Sequence, residues 1–266
     1  MDTTPRVGDH LREWRQRRRM SQLDLAVDAE ISARHLSFIE TGRSTPSRDM
    51  LLHLTERLDV PLRDRNVILV AGGFAPLFPE RPLQAPALQP ARKAVDLVLA
   101  GHEPYPALAV DRHWTLVTAN QALMRLLDGV PAELLKPPVN VLRVSLHPDG
   151  LAPRIVNLAQ WRAHLFERLR RQIEITADAT LIKLLEELRA FPVQGRRTPP
   201  PQADDYAGVV VPLQLAVGDI TLALFSTTTV FGTPVDVTVS ELAIESFFPA
   251  DGATAERLRE MAQRSP

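Results

Sequence analysis

Ser21–Ser47 reads SQLDLAVDAEISARHLSFIETGRSTPS, and its offsets predict two short helices held close together by small residues. Ser21 is placed to N-cap the first helix, whose apolar face is Leu25, Ala26 and Ala29. Gln22 falls in its first turn, where an amide can reach a phosphate, and Ala26 lets the next helix cross closely. After a turn through Glu30 and Ile31, Ser32 is a second N-cap, and Leu36 and Ile39 are spaced to face a core. That leaves Ala33, Arg34, Ser37 and Phe38 pointing outward. A helix of this kind fits the major groove of double-stranded DNA, where exposed side chains near its N-terminus meet base edges. Arg34 is the residue suited to a bidentate bond with guanine, and Phe38 can touch a thymine methyl or pack instead.

The motif Ser-Gln-x-x-Leu-Ala-x-x-Ala-x-Ile-Ser, followed by Leu36-Ser37-x-Ile39-Glu40-x-Gly42-Arg43-x-x-Pro46-Ser47, resembles the phage-repressor-like (XRE, Cro-like) helix-turn-helix family over about Val7 to Ala71. Apolar stripes at Val7, Leu11 and Trp14 and at Leu51, Leu54 and Leu58 supply further helices of an all-α, five-helix domain. The resemblance implies that Arg15 pairs with Glu40 structurally and that Arg43, after the second helix, contacts phosphate. Arg17, Arg18 and Arg19 read either as a solvated face or as phosphate contacts. Glu30 stands where the family usually has a turn glycine; a left-handed backbone costs a non-glycine residue about 1–2 kcal/mol.

At 266 residues and 45% hydrophobic, the chain can bury two ordinary cores. The net charge of −1 provides no global basic field, so attraction to DNA has to come from locally placed arginines, and a homodimer on two half-sites is expected. Lack of cysteine excludes disulfides and thiolate metal sites. Without a signal peptide or a run of 18 apolar residues, the expectation is a cytoplasmic protein with no membrane partner. Pro76, Pro79, Pro82, Pro86 and Pro90 deny continuous helix, which suggests residues 1–75 as one domain, 76–90 as a stiff proline-rich linker and 91–266 as a second domain.

The second domain reads as mixed. Helices are expected over Arg92 to Leu99, Ala119 to Leu127, Asn140 to Leu146, Ile155 to Ile175 and Asp178 to Arg189. Strands are expected over Ala107 to Asp111, Trp114 to Thr118, Gly208 to Val217 and Ile220 to Thr229, with a possible fifth near Val235 to Val239. Gly218-Asp219 is a hairpin signal, and Gln194 to Asp205, with Pro199-Pro200-Pro201, reads as a loop. This order gives an α+β fold, an antiparallel sheet with helices on one face, compatible with a PAS-like domain.

The segments beginning at His102 (HEPYPALAVDRHWTLVTAN), Pro137 (PPVNVLRVSLHPDGLAPRIVNLAQWRAHL) and Phe231 (FGTPVDVTVSELAIESFFPAD) resemble the MmyB-like ligand-binding family over about Ala91 to Asp251. The resemblance implies a regulator sensing a small lipophilic or fatty-acid-like ligand. From the residues alone, Trp114, Leu116, Leu142, Leu146, Trp161, Leu165, Val210 and Leu222 form either a pocket or an ordinary core. Arg143, His147 and Arg154 are basic groups that can meet a ligand carboxylate at a pocket mouth, or simply an exposed pair flanking a turn. Asn140 is a ligand candidate, but it reads as a helix cap first. There is no Gly-x-Ser-x-Gly elbow, no phosphate-binding loop with lysine and no His-Glu-x-x-His, so no catalytic residue, metal site or cofactor is expected. The expected function is DNA-binding regulation of transcription; the alternatives for the second domain are a dimerisation module or a cryptic lipid or acyl enzyme.

Overall fold

A computed structural model describes residues 5–192 and 211–263. It divides into two compact units, Met1–Pro82 with Thr233–Ser240, and Leu83–Gly232 with Glu241–Pro266.

The first unit opens with five helices: α1 (Val7–Arg17), α2 (Gln22–Asp28), α3 (Ala33–Glu40), α4 (Arg48–Arg57) and α5 (Leu62–Ala71). Serine hydroxyls start three of them, Ser21 accepting from the Asp24 N–H, Ser32 from His35 and Ser47 from Met50. Leu11, Leu25, Leu36, Ile39, Leu51, Leu54 and Leu58 are fully buried among these helices. Gly8 is required by the crossing of α1 and α3, because a Cβ there would lie 2.5 Å from the Ile39 carbonyl oxygen. Glu30 adopts φ +53°, the left-handed turn expected at a position where the resemblance would place glycine.

Glu40, only 1% exposed, ties three helices together. Arg15 grips both carboxylate oxygens, at 2.6 and 2.8 Å, and Gln22 Nε2 donates to one of them at 2.8 Å. Arg15 also donates to the Met20 carbonyl at 2.8 Å, and Arg12 to the Glu40 carbonyl at 3.2 Å. Burial alone pushes the Glu40 carboxyl up, but hydrogen bonds from Arg15 and Gln22, with the charges of Arg15 and Arg12, hold it below the usual carboxylate range.

The second unit is built on a five-stranded antiparallel sheet of order β2-β1-β5-β4-β3. After α6 (Gln89–Gly101) come β1 (Ala107–Val110), β2 (Leu116–Ala119), α7 (Gln121–Leu126), α8 (Val141–Leu146), α9 (Leu158–Thr176) and α10 (Ala179–Ala190). The chain continues with β3 (Leu213–Val217), β4 (Ile220–Val230), α11 (Val237–Ser240), β5 (Ala243–Pro249) and α12 (Gly252–Gln263). Gly218, at φ +65°, closes the β3–β4 hairpin, in which Val217 pairs with Ile220. β1 is buried on both faces. Leu108 and Val110 join the main core with Trp161, Leu165 and Leu169 of α9, while Ala107 and Ala109 pack with Val95 and Leu99 of α6. The helix-bearing PAS-like face is therefore supplemented by α6 against the reverse face.

Two expectations are corrected. Val235 to Val239 is not a strand: the Asp236 carboxylate accepts from the Thr238 N–H at 2.9 Å, and the chain turns into α11. The central strand is β5 instead, hydrogen-bonded to β1 on one side and β4 on the other. Trp114 lies outside β2, at φ +66°. The expected loop Gln194 to Asp205, the first residues of the strand expected from Gly208, and Val210 lie outside the described residues.

Replacing Glu40 with Ala leaves Arg15 buried without its partner and is expected to destabilise the first unit by about 3–5 kcal/mol, measured by urea unfolding. Because the folded carboxyl is depressed, its contribution is complete above the unfolded value of about 4.3 and is lost as pH falls through the folded one. Glu40→Gln should therefore flatten the acid limb of the stability profile; an unchanged limb would remove Glu40 from that role. Glu30→Gly relieves the left-handed backbone and is expected to add about 0.5–1 kcal/mol after the entropy cost of glycine.

Candidate functional site

The first candidate surface is the outer face of α3. Arg34 is exposed, and its guanidinium lies 5.3 Å from the centre of the Phe38 ring; the Arg43 guanidinium lies 6.0 Å from the same ring. Phe38 is half-buried, so it both supports and spaces two cations. Ser37 shares this face, and Ala33 packs partly on the core. Arg43 follows Gly42, at φ +72°, and its N–H closes the end of α3 on the Phe38 carbonyl at 2.8 Å. Two of the expected contact residues are already engaged: Gln22 with the Glu40 carboxylate and Ser32 as the cap of α3. In the basic run, Arg18 donates to the carbonyls of Leu58 and Asp59, both at 2.8 Å, and so closes the end of α4.

The second candidate is a cavity of about 100 Å³ between the sheet and helices α7 to α9. Its wall is apolar and includes Trp114, Leu116, Leu142, Trp161 and Leu165 from the expected pocket set. Leu146 and Leu222 belong to the surrounding core instead. Trp114 is clamped in its left-handed conformation from several directions. Asp111 Oδ1 accepts from the N–H groups of His113 and Thr115, both at 2.8 Å, and the indole N–H donates to Gln172 at 2.9 Å. Gln172 donates to the Arg112 carbonyl at 2.7 Å, and Asn140 donates to the His113 carbonyl at 2.8 Å. A bulky residue held at positive φ stores strain that the surroundings must overdetermine, a feature concentrated at ligand clamps and switches.

The polar candidates are placed differently. Asn140 caps α8, accepting from the Arg143 N–H, besides holding the Trp114 turn. Arg143 forms a two-pronged pair with Glu187, at 2.6 and 2.8 Å, and that hydrogen bonding holds the Glu187 carboxyl below its usual range. His147 accepts from the Asp149 N–H through Nδ1 and meets the Phe191 ring edge to face. Arg154 donates to the carbonyls of Leu126, Asp128 and Ala216. None of these four lines the cavity.

The charged groups that do line it are Arg168 of α9 and Glu245 of β5. They are joined at 2.6 and 3.1 Å, and the Arg168 guanidinium sits 4.8 Å from the Trp114 ring centre. One sequence signal for this pair was available: a glutamate in the apolar run Ala243–Pro249, where a buried charge demands a partner.

Residues 91–261 match the family described as the MmyB-like transcription regulator ligand binding domain, and residues 6–67 match a helix-turn-helix domain. No curated protein matches the chain. Among solved structures, an RNA-binding light-oxygen-voltage receptor is similar at 14% identity and a TM-score of 0.25, over 99% of this chain and 64% of that one. The chain thus spans about two thirds of that receptor's length, and a likeness this slight carries no argument. With its helix-turn-helix domain ahead of a ligand-binding domain that takes up most of its length, the chain belongs to the family of MmyB-like transcription regulators.

Proposed function

We propose that the chain is a sequence-specific regulator, acting in the cytoplasm as a homodimer on double-stranded DNA, whose second domain binds a small lipophilic, fatty-acid-like ligand and catalyses no reaction. The observation that carries the DNA half is the exposed Arg34, stacked on Phe38 near the start of a helix whose inner face is locked by Glu40. Arg34 reads a guanine edge, with Ala33, Ser37 and Phe38 beside it, and Arg43 meets the backbone. Gln22 and Ser32 contribute by fixing α2 and α3, since their side chains are already bonded within the fold.

The ligand half rests on the apolar cavity with its strained Trp114 and its buried charge pair. At about 100 Å³ the cavity is smaller than the roughly 300–1,000 Å³ of most ligand sites, so a chain-like ligand enters by displacing leucine side chains of the wall. A ligand regulates only through its difference in affinity between two arrangements of the protein. The small volume also favours a second reading, an interaction module with a nearly filled interior.

Arg34→Ala is expected to cost about 1–3 kcal/mol of affinity for a site selected from a random duplex pool and to relax preference at one base pair. Arg43→Ala should weaken all sequences alike and reduce the salt dependence. Fluorescence anisotropy titrations measure both, and unchanged affinity and preference in Arg34→Ala would sink the recognition role. A rise in melting temperature with medium-chain lipophilic compounds supports ligand binding; no shift across such compounds favours the interaction module.

A further inference from the structure

The cavity wall carries a cation together with an anion of the protein's own. Glu245, only 4% exposed, accepts from Arg168 at 2.6 and 3.1 Å and from the Thr228 hydroxyl at 2.6 Å. Thr228 and Leu108 stand directly opposite Glu245 in the sheet, which puts the carboxylate on the core-facing side of the central strand. Arg168 in turn donates to Thr228 at 3.1 Å and lies over the Trp114 ring. An arginine bordering an apolar cavity is the group best shaped to hold a ligand carboxylate, through two parallel N–H bonds, and Glu245 occupies that place. Two carboxylates brought to one guanidinium away from water cannot both stay ionised, so one of them must carry a proton. Glu245 is suited to it. Once protonated it keeps the Thr228 hydroxyl as a partner, or donates its O–H to the incoming carboxylate, and Arg168 passes to the ligand. The site then holds one guanidinium and one carboxylate, as it did before, so no buried charge is left uncompensated. The titratable groups facing Glu245 from α9 are Arg168 and His164; His164, stacked on Trp161, is pushed toward its neutral form by burial and by the charge of Arg168. Thr228 of β4 and Leu108 of β1, which face it across the sheet, do not titrate.

We propose that Arg168 anchors the carboxylate of the ligand and that Glu245, which otherwise occupies Arg168, takes up a proton as the ligand enters. This rests on the reading of the cavity as the site of a fatty-acid-like ligand. The proton comes from the ligand's own carboxyl when it enters as the acid, or from water when it enters as the anion, and no other group changes charge. An uncharged head group needs no such exchange and binds without a proton.

The test uses the full chain with octanoate and 1-octanol, titrated calorimetrically from about pH 6.5 to about pH 8 in phosphate and in Tris, whose different heats of ionisation reveal the protons taken up. The wild type is expected to take up about one proton per octanoate and to lose about tenfold in affinity for it per pH unit, because the complex carries a proton that its free components lack. Octanol should take up none and bind alike across the range. Glu245→Gln leaves Arg168 with no competing charge, and should bind octanoate at about pH 8 at least about tenfold more tightly than the wild type, without proton uptake or pH dependence. The double variant Arg168→Gln with Glu245→Gln should lose that gain and keep octanol. Octanoate bound by the wild type without a proton, or octanol bound where octanoate is not, would overturn the proposal and leave the cavity a ligand site. Proton uptake that persists in Glu245→Gln would remove Glu245 from the role. Should that variant fail to fold, His164→Gln takes its place: it keeps the uptake if Glu245 is the acceptor, and its loss would overturn the assignment. Binding of neither probe to the wild type would overturn the reading of the cavity as a ligand site, and this inference with it.

Discussion

A carboxylate that cannot reach water sets the geometry of the DNA-binding unit. Helix α3 has eight residues, too few to hold its own shape or direction in solution. Its orientation is imposed at its far end, where Glu40 is caught by Arg15 of α1 and Gln22 of α2. Gly8 removes the side chain that would otherwise keep α1 from the α3 carbonyls. The exposed face then follows from the helical repeat: once Leu36 and Ile39 are inward, Arg34 and Ser37 are outward. The stability of this arrangement and the reading of DNA share a cause, because the residue that anchors the helix is buried and the residues that can meet bases carry no structural duty of comparable weight.

Much of that unit is legible in the sequence because its determinants are local. The serine caps at Ser21 and Ser32, the apolar faces of Leu25, Ala26 and Ala29 and of Leu36 and Ile39, and a turn at Glu30 lie within one stretch, and the structure realises each of them. The cavity is not local in this sense. Trp114 takes its conformation from Gln172, 58 residues away, and Arg168 finds Glu245 across 77 residues. Alternation favoured Val235 to Val239 as a strand, but Asp236 offers the following backbone a competing hydrogen bond and the chain turns. The real strand, β5, carries adjacent buried residues because the central position in the sheet is covered on both faces, which weakens the alternating signal.

The basic residues show the same limit. Arg143, His147 and Arg154 stand near apolar residues in the chain, and proximity in sequence made them candidates for a ligand carboxylate. In the fold Arg143 is taken by Glu187 and Arg154 by three backbone carbonyls. An arginine has five N–H donors to satisfy, and whether a partner is supplied from within decides its role more than its neighbours in sequence do. The two buried pairs differ in surroundings: Arg15 and Glu40 join α1 to α3 with Gln22 of α2 completing the bond, whereas Arg168 and Glu245 line the apolar cavity.

The placement of α11 bears on how separable the two units are as heritable modules. Thr233–Ser240 belongs to the first unit although it lies between β4 and β5. Within that unit Asp236 is bonded to Arg81 at 3.1 Å and the Val237 N–H to the Pro79 carbonyl at 2.9 Å, with the Val237 side chain fully buried. The chain passes from one unit to the other after Pro82, after Gly232 and again after Ser240. No single cut in the gene yields both units whole: a fragment that begins at Leu83 carries away eight residues of the other unit's fold and leaves Asp236 and Val237 without their partners. Recombination that exchanged sensor domains behind a fixed DNA-binding head would have to match this returning segment to the head it joins.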